Sequence, residues 1–312
     1  MNGHPCRGHS LVELLVAMGL AALVGTIVLP AVFTLQARSL AEVSRSDLQA
    51  RACRLLRFLG DDLRSTAFLV GAAPRRATGT PPVVVHDSLP GNPPETLDQA
   101  LFPEDGGAGD DDALTIVRAE SFFPPLQLSA AASRGALALP LGRRPNQSPG
   151  SSREIRPAPE AISHVVLANQ RSCYPVGSVS QTVQLLDGLA EAAPAATELL
   201  GLRALRFRLV PAGASNRLRC DDFTSDEILD DAVDGLQFEY LLADGRIVDL
   251  PADPRAIRGV RVSLLVRDLR PDRDHRDQAV YRLGNRDYGP YHDAFRRIVV
   301  SEMVEVKNHA LP

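Results

Sequence analysis

The sequence predicts an α+β chain, with one long N-terminal α-helix leading into a β-rich, antiparallel domain. Three observations carry that reading. From Leu14 to Leu35 there are 22 residues without a charge. Leu40, Ser44, Leu48, Ala52, Leu55, Leu59 and Leu63 then recur at spacings of three or four, which puts them on one face of a helix. Beyond residue 110, short runs alternate apolar with polar, as Val260, Val262 and Leu264 do against Arg261 and Ser263. Such alternation marks antiparallel strands with one wet face.

The apolar span and the stripe read as one helix over about residues 10–69, roughly 90 Å long at about 1.5 Å per residue. Its first part, 9–35, is long enough to cross a bilayer core of roughly 30 Å. Its second part, 36–69, is amphipathic, with the stripe expected to pack on the chain's own domain. Pro30 lacks a backbone donor and is expected to kink or loosen the helix. Gly19 and Gly25 permit close helix approach. The domain then runs over 70–312, with Pro/Gly-rich insertions at about 72–110 and 140–159. Seven prolines in the first of these predict an extended segment with one short strand at Val83–His86. Strand-like runs follow at Ala113–Arg118, Leu126–Ser129, Ala136–Leu141, Ile162–Ala168, Thr182–Leu186, Arg203–Val210, Leu236–Leu242, Val260–Arg267 and Arg297–Val306. Thr224-Ser225-Asp226-Glu227 matches a capping box, so a short helix is expected to feed the strand after Gly235.

Composition bounds the function. The chain has 312 residues, 23% charged, with a net charge of −4, and nothing in that balance calls for nucleic acid. Of 34 basic residues only Lys307 is lysine. The seven histidines are scattered and no Ser/His/Asp order sits on a nucleophile elbow, so no enzyme is expected. His164, in a strand, reads as a packed histidine. No cysteine or histidine cluster has zinc spacing, and neither Asp110–Asp112 nor the acidic run from Asp221 to Asp234 forms a D-x-D-x-D-G loop. Neither a metal nor a cofactor is expected. The stretch Arg267–Arg297 holds eight Arg and six Asp, too balanced for a DNA-binding patch, although Tyr281, Tyr288 and Tyr291 keep contact with nucleic acid or a surface as an alternative.

The N-terminal segment Arg7-Gly8-His9-Ser10-Leu11-Val12-Glu13-Leu14-Leu15 resembles the class III signal of type IV prepilins and pseudopilins. An ordinary secretory signal would have a shorter apolar stretch and a small-residue cleavage site after it. Here Gln36-Ala37-Arg38-Ser39-Leu40 reads as continuing helix. A plain signal anchor is the remaining rival. The resemblance implies a leader over residues 1–8, cleavage by prepilin peptidase between Gly8 and His9, and N-methylation at His9, where the family usually has Phe or Met. It also implies that Glu13 meets the N-terminal amine of a neighbouring subunit and sets the register of assembly. Further along, Leu205-Arg206-Phe207-Arg208-Leu209, Val233-Asp234-Gly235-Leu236-Gln237-Phe238-Glu239-Tyr240, Ile257-Arg258-Gly259-Val260-Arg261-Val262 and Phe295-Arg296-Arg297-Ile298 are similar to PilW-like minor pilins.

That likeness implies a pilin-like fold and a low-abundance subunit that primes assembly or sits in the tip complex of a type IV pilus. The implied partners are prepilin peptidase, other minor pilins, the major pilin, the inner-membrane assembly platform and, before assembly, membrane lipid. The implied location is a single pass of the inner membrane with the domain in the periplasm, and then the fibre or its tip. Two alternatives stay open: a minor pseudopilin of type II secretion, similar to pseudopilin J but with a larger domain, and a membrane-anchored binding module for DNA or a surface. Of the four cysteines, Cys6 would leave with the leader. In an oxidising periplasm Cys173 and Cys220 would pair, with Cys53 a competing partner.

Overall fold

The computed structural model describes residues 11–84, 95–107, 110–142, 163–180, 182–213, 215–222, 225–272 and 274–310. Helix α1 runs over Leu11–Arg64, 54 residues, without a break at Pro30. Contacts divide the chain into two units, Met1–Ala50 and Arg51–Pro312. In the second unit the predicted stripe is in place: Ala52, Leu55, Leu59 and Leu63 are buried, joined by Leu56, while Arg54 and Arg57 face outward.

The helix ends five residues before the expected boundary, because the chain turns to meet a strand. The Ala67 amide donates to the Val117 carbonyl at 2.8 Å. Arg118 donates to Asp62 at 2.6 Å and to the Ser65 hydroxyl, gathering the last turn. Ala67 and Leu69 take positive φ, which ends helical geometry.

The strands are β1 (Arg75–Arg76), β2 (Val83–Val84), β3 (Glu95–Thr96), β4 (Leu101–Glu104), β5 (Ala113–Gln127), β6 (Ala138–Pro140), β7 (His164–Leu167), β8 (Ser172–Val179) and β9 (Thr182–Leu185). They continue with β10 (Glu198–Ala212), β11 (Ser215–Asp221), β12 (Asp226–Asp230), β13 (Val233–Leu242), β14 (Ile247–Val248), β15 (Ile257–Arg267), β16 (Tyr281–Leu283), β17 (Arg286–Tyr288) and β18 (Arg297–Glu305). A ten-stranded sheet follows the order β12-β11-β10-β7-β8-β9-β6, with β5 and β4 on the other side of β10 and β1 on β8. A four-stranded antiparallel sheet has the order β14-β13-β15-β18. The predicted α+β class is mostly antiparallel sheet, and every pairing among the described strands is antiparallel except β1 with β8.

Three expectations are corrected. The capping-box helix does not form. Residues Asp226–Asp230 pair with β11 instead, and the reversal is made by Asp222, whose carboxylate accepts from the Ser225 amide at 2.6 Å and from its hydroxyl at 2.9 Å. A helix there would forfeit that ladder, so tertiary pairing overrides the local cap. The 72–110 segment is more than an extended insertion, since Leu97, Ala100 and Leu101 are fully buried and β4 joins the large sheet. Finally, Cys53, Cys173 and Cys220 are free thiols, so the Cys173–Cys220 disulfide is absent.

Register explains the missing disulfide. Cys220 lies opposite Phe207 of β10, whereas Cys173 pairs with Val166, which lies opposite Leu200. The two sites are thus seven residues apart along β10. At about 3.3 Å per residue that is roughly 20 Å, far beyond the ~7 Å at which two Cα atoms can be bridged. Burial pushes both thiols up to about 12.

Candidate functional site

Gly8 and His9, the expected cleavage pair, lie outside the described residues. Glu13 lies in α1, near the N-terminal limit of the described residues. Around it the helix exposes Leu14, Leu15, Val16 and Met18, each at least 57% accessible, and further on Leu20, Leu23, Val24, Leu29, Phe33 and Leu35. Successive positions advance about 100° around a helix, so these ten residues together cover every face rather than one stripe. A helix apolar all round needs a partner phase or partner helices. Among the described residues, no helix is long and apolar enough to cross a membrane.

The chemistry of the β-domain centres on Arg297, at the start of β18. Its side chain is 1% exposed and all three guanidinium nitrogens are hydrogen-bonded. Nε donates to Asp234 at 2.7 Å, Nη1 to Asp277 at 2.8 Å, and Nη1 and Nη2 fork onto Asp293 at 2.8 and 2.7 Å. Tyr291 stacks on the guanidinium with its centroid 3.6 Å away. Burial alone would lower the arginine's pKa, but hydrogen bonds to the three carboxylates hold it above its ordinary value. Asp234 is the second residue of β13, at a shift in its register with β15, whereas Asp277 and Asp293 lie in the 268–296 connection. One cation therefore ties a long connection to the start of two strands.

Asp111 and Asp112 form a second brace. Asp111 accepts from the Leu236 amide at 3.0 Å and from the Tyr288 hydroxyl at 2.6 Å. Asp112 accepts from the amides of Phe238 at 2.8 Å and Gly106 at 3.1 Å. The large sheet, through the entry to β5, is thus pinned to the small one through β13. Tyr288 docks the β16–β17 hairpin on the same strand. Its ring lies so close to Gly235 that a Cβ there would stand 2.7 Å from it, so only glycine fits. Burial pushes Asp112 up to about 6 and raises Asp111 as well.

Two family models match the chain. The prokaryotic N-terminal methylation motif covers residues 4–29, and the type IV pilus-assembly protein W model covers residues 222–308. The chain is a PilW-like, type IV prepilin-like protein. No curated protein and no solved structure gives a match to it. The methylation motif spans Gly8, His9 and Glu13 of the prepilin-like chain but stops one residue short of Pro30. The assembly-protein match spans β12 to β18 and includes Arg297 with all three of its aspartates.

Sequence reading rejected the acidic run as a calcium loop and the Arg/Asp stretch as a DNA-binding patch, and the PilW-like protein uses both in internal ion pairs. Asp230 holds Arg51 of α1, Asp222 holds Arg203 at 2.9 Å and Asp226 holds Arg219 at 2.8 Å. Of the tyrosines kept as nucleic-acid platforms, Tyr281 donates to Asp277, Tyr288 carries Arg286 on its ring and Tyr291 carries Arg297. One ring face of Tyr288 and one of Tyr291 are thus taken by arginines of the same domain. Nothing in the spacing of aspartates and arginines signals which pairs with which.

His164 of the prepilin-like chain is packed as expected, 4% exposed, with Nδ1 3.0 Å from the Ser163 hydroxyl. Burial, aided by nearby Arg76 and opposed by Asp187, pushes its pKa down to about 4. The unfolded value is about 6.5, so the unfolded chain takes up this proton first. The stability His164 contributes is present above pH 6.5 and is lost as pH falls toward 4. Asp112 acts with the opposite sign, because its raised pKa makes the folded state the stronger proton binder between about 4 and 6. In urea melts, His164→Gln is expected to shrink the loss of stability between pH 7 and pH 4.5 by about 2–3 kcal/mol. An unchanged acid loss would show that His164 charges freely in the folded state.

Proposed function

We propose that this protein is a minor type IV pilin, a subunit that primes pilus assembly or joins the tip complex. The observation that carries the reading is that one chain holds both an N-terminal methylation motif and a pilus-assembly W segment. Before assembly, the uncharged span Leu14–Leu35 anchors the subunit in the inner membrane with the domain in the periplasm. Prepilin peptidase then cuts after Gly8 and frees an α-amino group at His9, which is methylated. In the fibre the all-round apolar helix exchanges lipid for the helices of other minor pilins and the major pilin. An ammonium and a carboxylate in such a bundle are costly alone and tolerable as a pair. Glu13 pairs with a neighbour's amine and thereby selects one register, while Pro30 loosens the helix between its two halves.

Mass spectrometry of the protein from a pilus-competent host tests the first step. The expected N-terminus is His9, eight residues shorter than the translated chain and N-methylated. Retention of Met1, or a cut within or after the apolar run, would end the pilin reading.

A further inference from the structure

In most of the β-domain arginines meet aspartates, but at one cavity two of them, Arg75 and Arg255, have none among the described residues. A cavity of about 390 Å³ lies beside the turn that follows α1, lined by Val70, Ala72, Ala73, Arg75, Arg171 and Arg255, with no acidic residue among the described residues of its lining. Local structure brings these residues together. β1 pairs in parallel with β8, so Arg75 sits opposite Ser172, next to Arg171. The two neighbours Arg75 and Arg76 of β1 point to opposite faces, and Arg76 forks onto Asp187 at 2.8 and 2.9 Å. Arg75 is left to face the cavity. The 3₁₀ turn Pro254–Ala256 is capped by Asp253 through the Arg255 amide at 3.0 Å, which fixes the backbone and leaves the Arg255 side chain at the cavity wall. Among the described residues neither Arg75 nor Arg255 has a carboxylate partner, in a chain whose net charge is −4.

From this we infer an oxyanion-binding site of the phosphate class, independent of the pilin role. Two uncompensated guanidinium groups match a dianion, and planar guanidinium forks suit tetrahedral phosphate oxygens. The volume exceeds that of a bare phosphate and falls in the range of small-molecule sites. The surplus is walled by Val70, Ala72 and Ala73, which suit a small uncharged organic group. Among the described residues there is no aromatic side chain in the lining on which a nucleobase could stack. The ligand class is therefore a small phosphate monoester.

Calorimetric titration of the full-length protein in detergent tests the site, with inorganic phosphate and glycerol 1-phosphate as ligands and acetate as a monoanionic control. Saturable binding of both phosphates, tighter for glycerol 1-phosphate and absent for acetate, is expected. Charged hydrogen bonds of this kind are worth about tenfold each, so Arg75→Ala and Arg255→Ala should each weaken binding by about tenfold or more. Both side chains reach solvent, and unchanged melting of the variants confirms that they fold. Equal affinity in the double variant, or acetate binding as well as phosphate does, overturns the proposal. A short DNA duplex or short-chain phosphatidylglycerol binding more tightly than glycerol 1-phosphate, with the same arginine dependence, overturns it in favour of a phosphodiester partner.

Discussion

Arg297→Ala is expected to cost the folded domain about 3–5 kcal/mol, the range for breaking a buried ion pair from one side. The loss is large because of what stays behind. Asp277 is 1% exposed and Asp234 7% at the side chain, and both would keep a charge with its partner removed. Asp293, 32% exposed, can turn to water. The ring of Tyr291 would also lose the cation on its face. Against a typical total of about 5–15 kcal/mol, such a change removes a large share of the stability. Arg297→Lys keeps a charge but cannot serve three carboxylates from one fork, so an intermediate loss is expected. Adding Asp277→Asn to Arg297→Ala should recover part of the loss, because one stranded charge is removed. Urea melts of the four full-length proteins decide it. A loss below about 1 kcal/mol for Arg297→Ala would place the cluster in the class of exposed ion pairs.

Glu13→Ala is expected to abolish assembly while leaving earlier steps intact, a consequence of the proposed pilin role. Removing a charge from the edge of an apolar span eases membrane insertion, by an amount that is largest at the bilayer centre. The bond after Gly8 is unchanged, so cleavage should persist. In the fibre, however, a neighbour's buried ammonium would lose its partner at a cost of roughly 3–5 kcal/mol, or more than about two orders of magnitude in an association equilibrium. Glu13→Lys should be worse, since it sets two cations together. The readouts are the mature N-terminus, fibre yield and crosslinking to other pilins in a strain without the native copy. Wild-type fibre yield from Glu13→Ala would reduce Glu13 to an interfacial charge with no part in register.

Local periodicity made much of this molecule legible in advance. The leucine stripe from Ala52 to Leu63 announced a buried helix face because residues three and four apart share a face whatever lies opposite. The alternation in Val260–Arg267 announced a strand for the same kind of reason, with a period of two. The short motif around Gly8 and Glu13 named the family because its residue types stand at fixed spacing within a few turns of chain. The capping box at Thr224 misled because a cap is typically worth about 1 kcal/mol, and a full β-ladder outweighs it.

Sequence by itself determined, then, the α+β class, the apolar N-terminal segment and the prepilin-like signature. The tertiary structure decided the partners. It put Cys173 and Cys220 seven residues apart along β10, gave Arg297 to Asp234, Asp277 and Asp293, and left Arg75 and Arg255 around a cavity with no acid among its described lining residues. The physical reason is range. Helix and strand periods are written by neighbours a few residues apart, whereas any arginine fits any aspartate. Only sheet register, which brings together residues dozens to hundreds of positions apart, selects among them.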